Sequence, residues 1–194
     1  MEKIKVYTSD SHFLHTNILE YCRRPFKSIQ ECDLLIMENL RSADANGFQI
    51  FHLGDASFNL GQVIEKYGSP FPRDNDHVII LGNHDRYSKQ QGVYKSMFRG
   101  GVIGTEKTWK RNFLKIEDNG RKLLLSHQVF EDLDGAEWNI HGHVHNNLSV
   151  PQRDGYISPE KWVVESKNHL NACVEVCNYR PMTLLELISR ETQY

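Results

Sequence analysis

"HVIILGNHD", His77–Asp85, sets Val78, Ile79, Ile80 and Leu81 in a row and then delivers a glycine, an amide, an imidazole and a carboxylate. A short β-branched run of this kind reads as a buried strand, with the polar residues in the loop at its carboxyl end. The same design occurs earlier in "FQIFHLGD", Phe48–Asp55, a short strand closed by Gly54. It occurs again in "KIKVYTSD", where apolar and polar residues alternate from Ile4 to Thr8 before Ser9 and Asp10. Between the first two strands, "SIQECDLLIMENL" places Ile29, Leu34, Leu35, Ile36, Met37 and Leu40 at helical spacing, and Ser28 with Glu31 matches a capping box. Strand–helix alternation predicts an α/β fold with a parallel or mixed sheet.

The second half has a different rhythm. "NFLKIEDNGRKLLLSHQ" is two strand-like runs joined at Asp118–Arg121, where Asn119-Gly120 is a strong hairpin signal. A further strand is expected through "EWNIHGHVH", another in "HLNACVEVC", and a closing helix in "TLLELISRE". Between them, 146–168 is irregular, and a loop of that length is usually functional or mobile. Neither repeats nor low-complexity tracts divide the chain, so one domain over 1–194 is expected.

Composition narrows the function classes. With 25 acidic against 23 basic residues, no global positive field marks the chain as a binder of long nucleic acid or of anionic membranes. The sequence shows neither a membrane-length apolar run nor the apolar core of a secretion signal, which predicts a cytoplasmic protein. Cys22, Cys32, Cys173 and Cys177 form no CxxC pair and read as reduced core residues. The 10 histidines stand out, because imidazole is the commonest transition-metal ligand.

Five polar blocks lie at or just beyond predicted strand ends: "DSH" at Asp10–His12, "GD" at Gly54–Asp55, "GNHD" at Gly82–Asp85, "SHQ" around His127, and "GHVH" at Gly142–His145. Each alone has an ordinary reading as a cap, a turn or a hydrogen-bonded histidine. Together Asp10, His12, Asp55, Asn83, His127, His143 and His145 offer oxygen and nitrogen donors and no thiolate. That set is too large for one tetrahedral zinc and suits two ions sharing a carboxylate. Two divalent ions roughly 3.5–4 Å apart clamp the attacking and leaving oxygens of a phosphoryl transfer and generate hydroxide from water near neutral pH. Against two aspartates they leave a local charge of about +2, a phosphate attractor that the net charge does not supply.

The order DxH, GD, GNHD, H, GHxH resembles the calcineurin-like metallophosphoesterase superfamily, with every block present from Asp10 to His145. "TSDSHFLHTNILEYCRRPF" and "NACVEVCNYRPMTLLEL" also look like its small bacterial and phage-borne branch. The resemblance implies a four-layer αββα sandwich with a dinuclear metal site at the carboxyl ends of the strands. It places Asp10, His12 and His145 on one metal, Asn83, His127 and His143 on the other, and Asp55 as the bridge. His84 would then act on the phosphate or the leaving oxygen as general acid, oriented by Asp85, and a carboxylate partner would favour the protonated ring.

His15, Asn17 and Arg86 are candidates for substrate contact, with Tyr87 beside them, and Arg153 and Lys161 for a flap on the substrate side. Arg23 and Arg24 read as a solvated pair at a helix end, and His52, His77 and His141 as structural. The expected function is hydrolysis of a phosphodiester bond in a nucleotide or other small substrate, through a metal-bridging hydroxide. Manganese is the first choice of ion, with iron, nickel or zinc also compatible. The alternatives are a phosphomonoesterase, a binding module that keeps the fold without the activity, and a mononuclear metal-binding protein.

Overall fold

The computed structural model describes residues 3–71, 75–146 and 168–191; Arg153 and Lys161, with most of the 146–168 loop, lie outside them. In chain order the elements are β1 (Lys5–Thr8), α1 (Ile18–Tyr21), α2 (Ile29–Ala45), β2 (Gln49–His52), α3 (Leu60–Tyr67), β3 (Val78–Ile80), α4 (Tyr87–Met97) and β4 (Gly101–Ile103). A 3-10 turn at Trp109–Arg111 leads to β5 (Phe113–Asp118), β6 (Arg121–Ser126), β7 (Trp138–His141), β8 (His169–Asn171) and α5 (Leu184–Glu191). The fold is mixed α/β with two four-stranded sheets, ordered β1-β2-β3-β4 and β5-β6-β7-β8.

All neighbours in the first sheet are parallel, with Tyr7 opposite Phe51 and Phe51 opposite Val78. The carboxyl ends of β1, β2 and β3 therefore share one edge, which delivers Asp10, Asp55 and Asn83 to the same place. In the second sheet β5 and β6 form the predicted hairpin, with Asn119 at φ 50° and Gly120 at φ 72° as a two-residue loop needs. β6, β7 and β8 run parallel, so Ser126 and His141 end side by side and lead into His127 and His143.

Strand alternation divides the core. Val6, Ile50 and Ile79 face Ile36, Met37 and Leu40 of α2, together with Val63 of α3 and Tyr94 of α4. Tyr7, Phe51, Val78 and Ile80 point the other way, against Leu123, Leu125, Ile140 and Leu170 of the second sheet, with Leu184 and Leu187 of α5 closing that cluster. Burying a side chain of this size stabilises the fold by about 1.5–3 kcal/mol. The first sheet is thus fixed between helices and the second sheet, and its loops inherit that rigidity.

Local chemistry explains the element ends. Ser28 Oγ accepts from Glu31 N at 3.2 Å, and Glu31 Oε2 accepts from Lys27 N at 2.9 Å, so the predicted cap starts α2. At the other end of the sheet, Ile50 N donates to His77 Nδ1 at 3.0 Å and His77 Nε2 donates to Asp44 Oδ1 at 2.8 Å. His77 is therefore a neutral staple between α2, β2 and β3.

The structure departs from expectation at two strands. β4 is formed by only Gly101, Val102 and Ile103, too short and too glycine-flanked to carry a sequence signal. The strand expected through "HLNACVEVC" stops at Asn171. Beyond it the chain crosses to the first sheet, where Cys173 bridges Ser9 and Met182 bridges Tyr7, so the outer edge of β1 is covered. No helix among the described residues is long and apolar enough to cross a membrane.

Candidate metal centre

Asp10 is buried, and its two carboxylate oxygens have different surroundings. Oδ2 accepts from Ser9 Oγ at 2.5 Å, from His143 N at 2.8 Å and from Cys173 Sγ at 3.3 Å. Oδ1 makes no hydrogen bond, and it lies 3.5 Å from His145 Nε2 and 3.8 Å from His12 Nε2. One oxygen is anchored while the other is aimed at two imidazoles. His12 Nε2 is likewise buried without a hydrogen bond. Burial opposes ionisation of Asp10, but His145, His12 and His127 outweigh it and hold its pKa well below the usual carboxylate range.

Asp55 occupies the centre. Its Oδ1 accepts from His84 N at 2.8 Å, and its Oδ2 lies 3.4 Å from His127 Nε2, 3.6 Å from His12 Nε2 and 3.9 Å from His84 Nε2. The loop that presents it is held by Asp85, whose Oδ2 accepts from Asp55 N at 2.8 Å and Gly82 N at 2.9 Å. Asp85 Oδ1 accepts from Ala56 N and the Tyr94 hydroxyl, both at 3.0 Å. This corrects the role expected of Asp85. Its carboxylate is occupied by backbone and Tyr94, so it braces the Asp55 loop instead of orienting the His84 ring.

Hydrogen bonds fix the imidazole tautomers. His127 Nδ1 faces the Leu53 carbonyl at 2.8 Å and must carry the proton, because a carbonyl only accepts. Its Nε2 faces Asn83 Oδ1, 3.0 Å away, and His143 Nδ1, 3.1 Å away. Burial disfavours charge on His127, yet Asp55 and Asp10 overcome it and raise its pKa to about 9. Burial and the His127 charge lower His143 to about 3. His145 Nδ1 donates to Glu175 Oε1 at 2.9 Å, which leaves its Nε2 toward Asp10.

Donor atoms of Asp10, His12 and His145 lie within 4.8 Å of one another, as do those of Asp55, His127 and His143. Each group could hold a metal ion, and Asn83 borders the second through His127. The backbone bends sharply to achieve this. Asp10, His12, Asp55, His143 and His145 all have positive φ, from 51° to 71°, a conformation costing an ordinary residue roughly 1–2 kcal/mol. Glycines make room: a Cβ on Gly82 would lie 2.2 Å from Asp55 Oδ1, and one on Gly142 would lie 2.0 Å from Ser9 Oγ. Gly82 is thus needed for close approach, and its φ is not positive.

His84 is 36% exposed and forms the rim, its ring 5.1 Å from His12 and 4.8 Å from Phe58. Burial lowers its pKa more than Asp55 raises it, so the neutral ring is favoured over the expected protonated one. His15 stands beside it, with Nδ1 3.3 Å from His12 Nδ1, and Arg86 lies over the Phe58 ring at 5.8 Å. Asn17 is exposed at the start of α1 and makes no side-chain cap. Tyr87 packs on Tyr94 and is partly buried against the helical core. His52 and His141 are buried, His52 Nε2 meeting Ser11 Oγ at 2.9 Å and His141 Nδ1 donating to the Gly142 carbonyl at 3.0 Å.

Four participants carry no motif. Arg24 is buried rather than solvated; only Arg23 of the expected pair is exposed. Glu175 reaches the centre from beyond β8, and Cys173, expected as filler, donates to Asp10. Trp109 lies 4.8 Å from the His143 ring. Only the "NACVEVC" and "CRRPF" segments gave a hint of Glu175 and Arg24.

Fold and site together define a mixed α/β protein with a candidate cation-binding centre at the strand ends. No family model matches the chain. It is 27% identical over 187 residues to an uncharacterized protein of Methanocaldococcus jannaschii, MJ1445, with 95% of this chain and 89% of that protein covered. Its fold is similar to the crystal structure of AQ665, a protein of unknown function from Aquifex aeolicus, at a TM-score of 0.67 and 22% identity, over 97% of this chain and 99% of that one.

Proposed function

We propose that this chain is a calcineurin-like metallophosphoesterase that uses two divalent ions, manganese first among them, to hydrolyse phosphodiester bonds in a nucleotide or other small substrate. The observation that carries the reading is a pair of buried polar atoms without hydrogen bonds, set within two groups of metal-type donors. Asp10 Oδ1 and His12 Nε2 are buried without hydrogen bonds 3.8 Å apart, and the donor atoms of Asp10, His12 and His145, like those of Asp55, His127 and His143, lie within 4.8 Å of one another. Buried polar atoms without partners are costly unless a ligand such as a cation joins them. The donor set fits that need: Asp10, His12 and His145 would hold one ion, Asn83, His127 and His143 the other, and Asp55 lies between both groups. On this reading the two sheets and α2 to α4 belong to a four-layer αββα sandwich.

Divalent ions held there supply positive charge to a phosphoryl oxygen and acidify water. The chain supplies position and protons. The rigid strand ends keep the donors fixed, which favours electrostatic stabilisation over reorganisation. His84, partly exposed beside Asp55, would donate a hydrogen bond from its ring N–H to the phosphate or the departing oxygen. Phe58 beside His84 and Trp109 beside His143 add apolar surface, and Arg86 over the Phe58 ring adds a cation. These suit a compact ester with an aromatic group.

The test is to strip the protein of metal, add manganese, and follow bis(p-nitrophenyl) phosphate beside p-nitrophenyl phosphate. Faster cleavage of the diester is expected. Faster cleavage of the monoester would move the reading to a phosphatase, and metal binding without cleavage of either ester would support a binding module.

A further inference from the structure

Arg24 and Glu175 are 151 residues apart in sequence and form a buried ion pair. Arg24 Nε and Nη2 donate to the same oxygen, Glu175 Oε1, at 2.9 and 2.7 Å. The guanidinium is not used up by that contact. Nη2 also donates to the Asp10 carbonyl at 2.7 Å, and Nη1 to the Ser11 carbonyl at 2.9 Å. It therefore grips the backbone on which Asp10 and His12 sit in left-handed conformation. Glu175 Oε1 in turn accepts from His145 Nδ1 at 2.9 Å, while Oε2 has no hydrogen bond. One carboxylate oxygen thus joins the clamp on the Asp10–His12 loop to the ring of His145. His127, by contrast, is held by the Leu53 carbonyl, and no hydrogen bond of Arg24 or Glu175 reaches Asn83, His127 or His143.

We infer that Arg24 and Glu175 are a positioning pair for one ion only, the one held by Asp10, His12 and His145, so that the two metal positions can be emptied separately. The inference rests on the two-ion reading of the centre. A carboxylate behind a ligating imidazole fixes the tautomer and raises its basicity, and loss of such a partner costs about 10–100-fold in metal affinity. Arg24 adds a second effect, because it preorganises the strained loop that carries the other two donors of that position.

The experiment is a manganese and zinc titration of metal-free protein by calorimetry, with stoichiometry checked by elemental analysis after dialysis. Wild type is expected to bind two ions. Glu175→Gln keeps the shape but loses the charge, and is expected to lose about 10–100-fold in affinity for one ion while the other is unchanged. Glu175→Asp, which retains the charge, should recover part of that loss. Equal weakening of both ions would overturn the inference and leave the two-ion reading intact. Failure of wild type to bind two ions would overturn the reading itself.

A second measurement does not depend on a variant's folding. In the zinc-loaded wild-type protein, long-range ¹H–¹⁵N spectra should find His145 protonated at Nδ1. Protonation at Nε2 would overturn the role of Glu175.

Discussion

A methyl group on Gly82 would sit 2.2 Å from Asp55 Oδ1 and 2.9 Å from His127 Cε1, so the side chains that converge here leave no space for one more carbon. Gly82→Ala is expected to destabilise by roughly 1–3 kcal/mol through overpacking and to weaken metal binding by displacing Asp55. Urea denaturation of the metal-free protein and a metal titration separate the two effects. The neighbouring His84 makes the opposite kind of contribution, since it touches Asp55 through its backbone N–H and keeps its ring at the rim. If the centre is the proposed two-ion phosphoesterase site, His84→Ala should retain both ions by elemental analysis while losing about 10²–10⁴-fold in turnover. Asp55→Ala should lose metal. Equal metal loss in both variants would place His84 among the ligands. The motif residues were legible because their chemistry is unusual for strand ends: carboxylates and imidazoles in loops that follow apolar runs. Arg24 and Glu175 were hidden for the converse reason. An arginine near a short helix and a glutamate in an apolar stretch look ordinary until distant segments meet.

Elements hold these residues through staples of their own. His77 accepts from Ile50 N and donates to Asp44, an arrangement only the neutral ring can make, and burial lowers its pKa against the pull of Asp44. The unfolded chain takes up a proton near the ordinary value of about 6.5, while the folded ring resists it. His77 therefore contributes stability above about pH 6.5, and that contribution is lost as the pH falls below it. His77→Gln can make both hydrogen bonds without titrating, so its stability should decline less than wild type between pH 7 and pH 5. Urea midpoints at the two values measure this, and identical slopes would contradict the neutral staple. The strands, the α2 cap and the Asn119-Gly120 hairpin were readable because each has a local physical signature. β4 and the early end of β8 were not, because both are decided by the neighbours they pair with.

At the scale of the molecule, the core between the sheets joins Ile80 of β3 to Leu125 of β6 and Leu187 of α5. The two sheets are accordingly expected to melt together. Leu125→Ala should cost about 2–5 kcal/mol and shift the midpoints seen by far-UV circular dichroism and tryptophan fluorescence equally. Separate transitions would mean that the sheets are independent units. The crossing from β8 to the edge of β1 has a further consequence, which lies in time. Cys173 meets Asp10 across 163 residues, and Glu175 meets Arg24 across 151. Contacts that distant close slowly. On a ribosome the first strand emerges early and waits, its edge unpaired and its aspartate without the thiol and the histidine brace, until the segment around Cys173 and Glu175 has been synthesised. Assembly of the His145 side of the centre therefore waits for residues 173 and 175, and a nascent chain stalled before Cys173 lacks it.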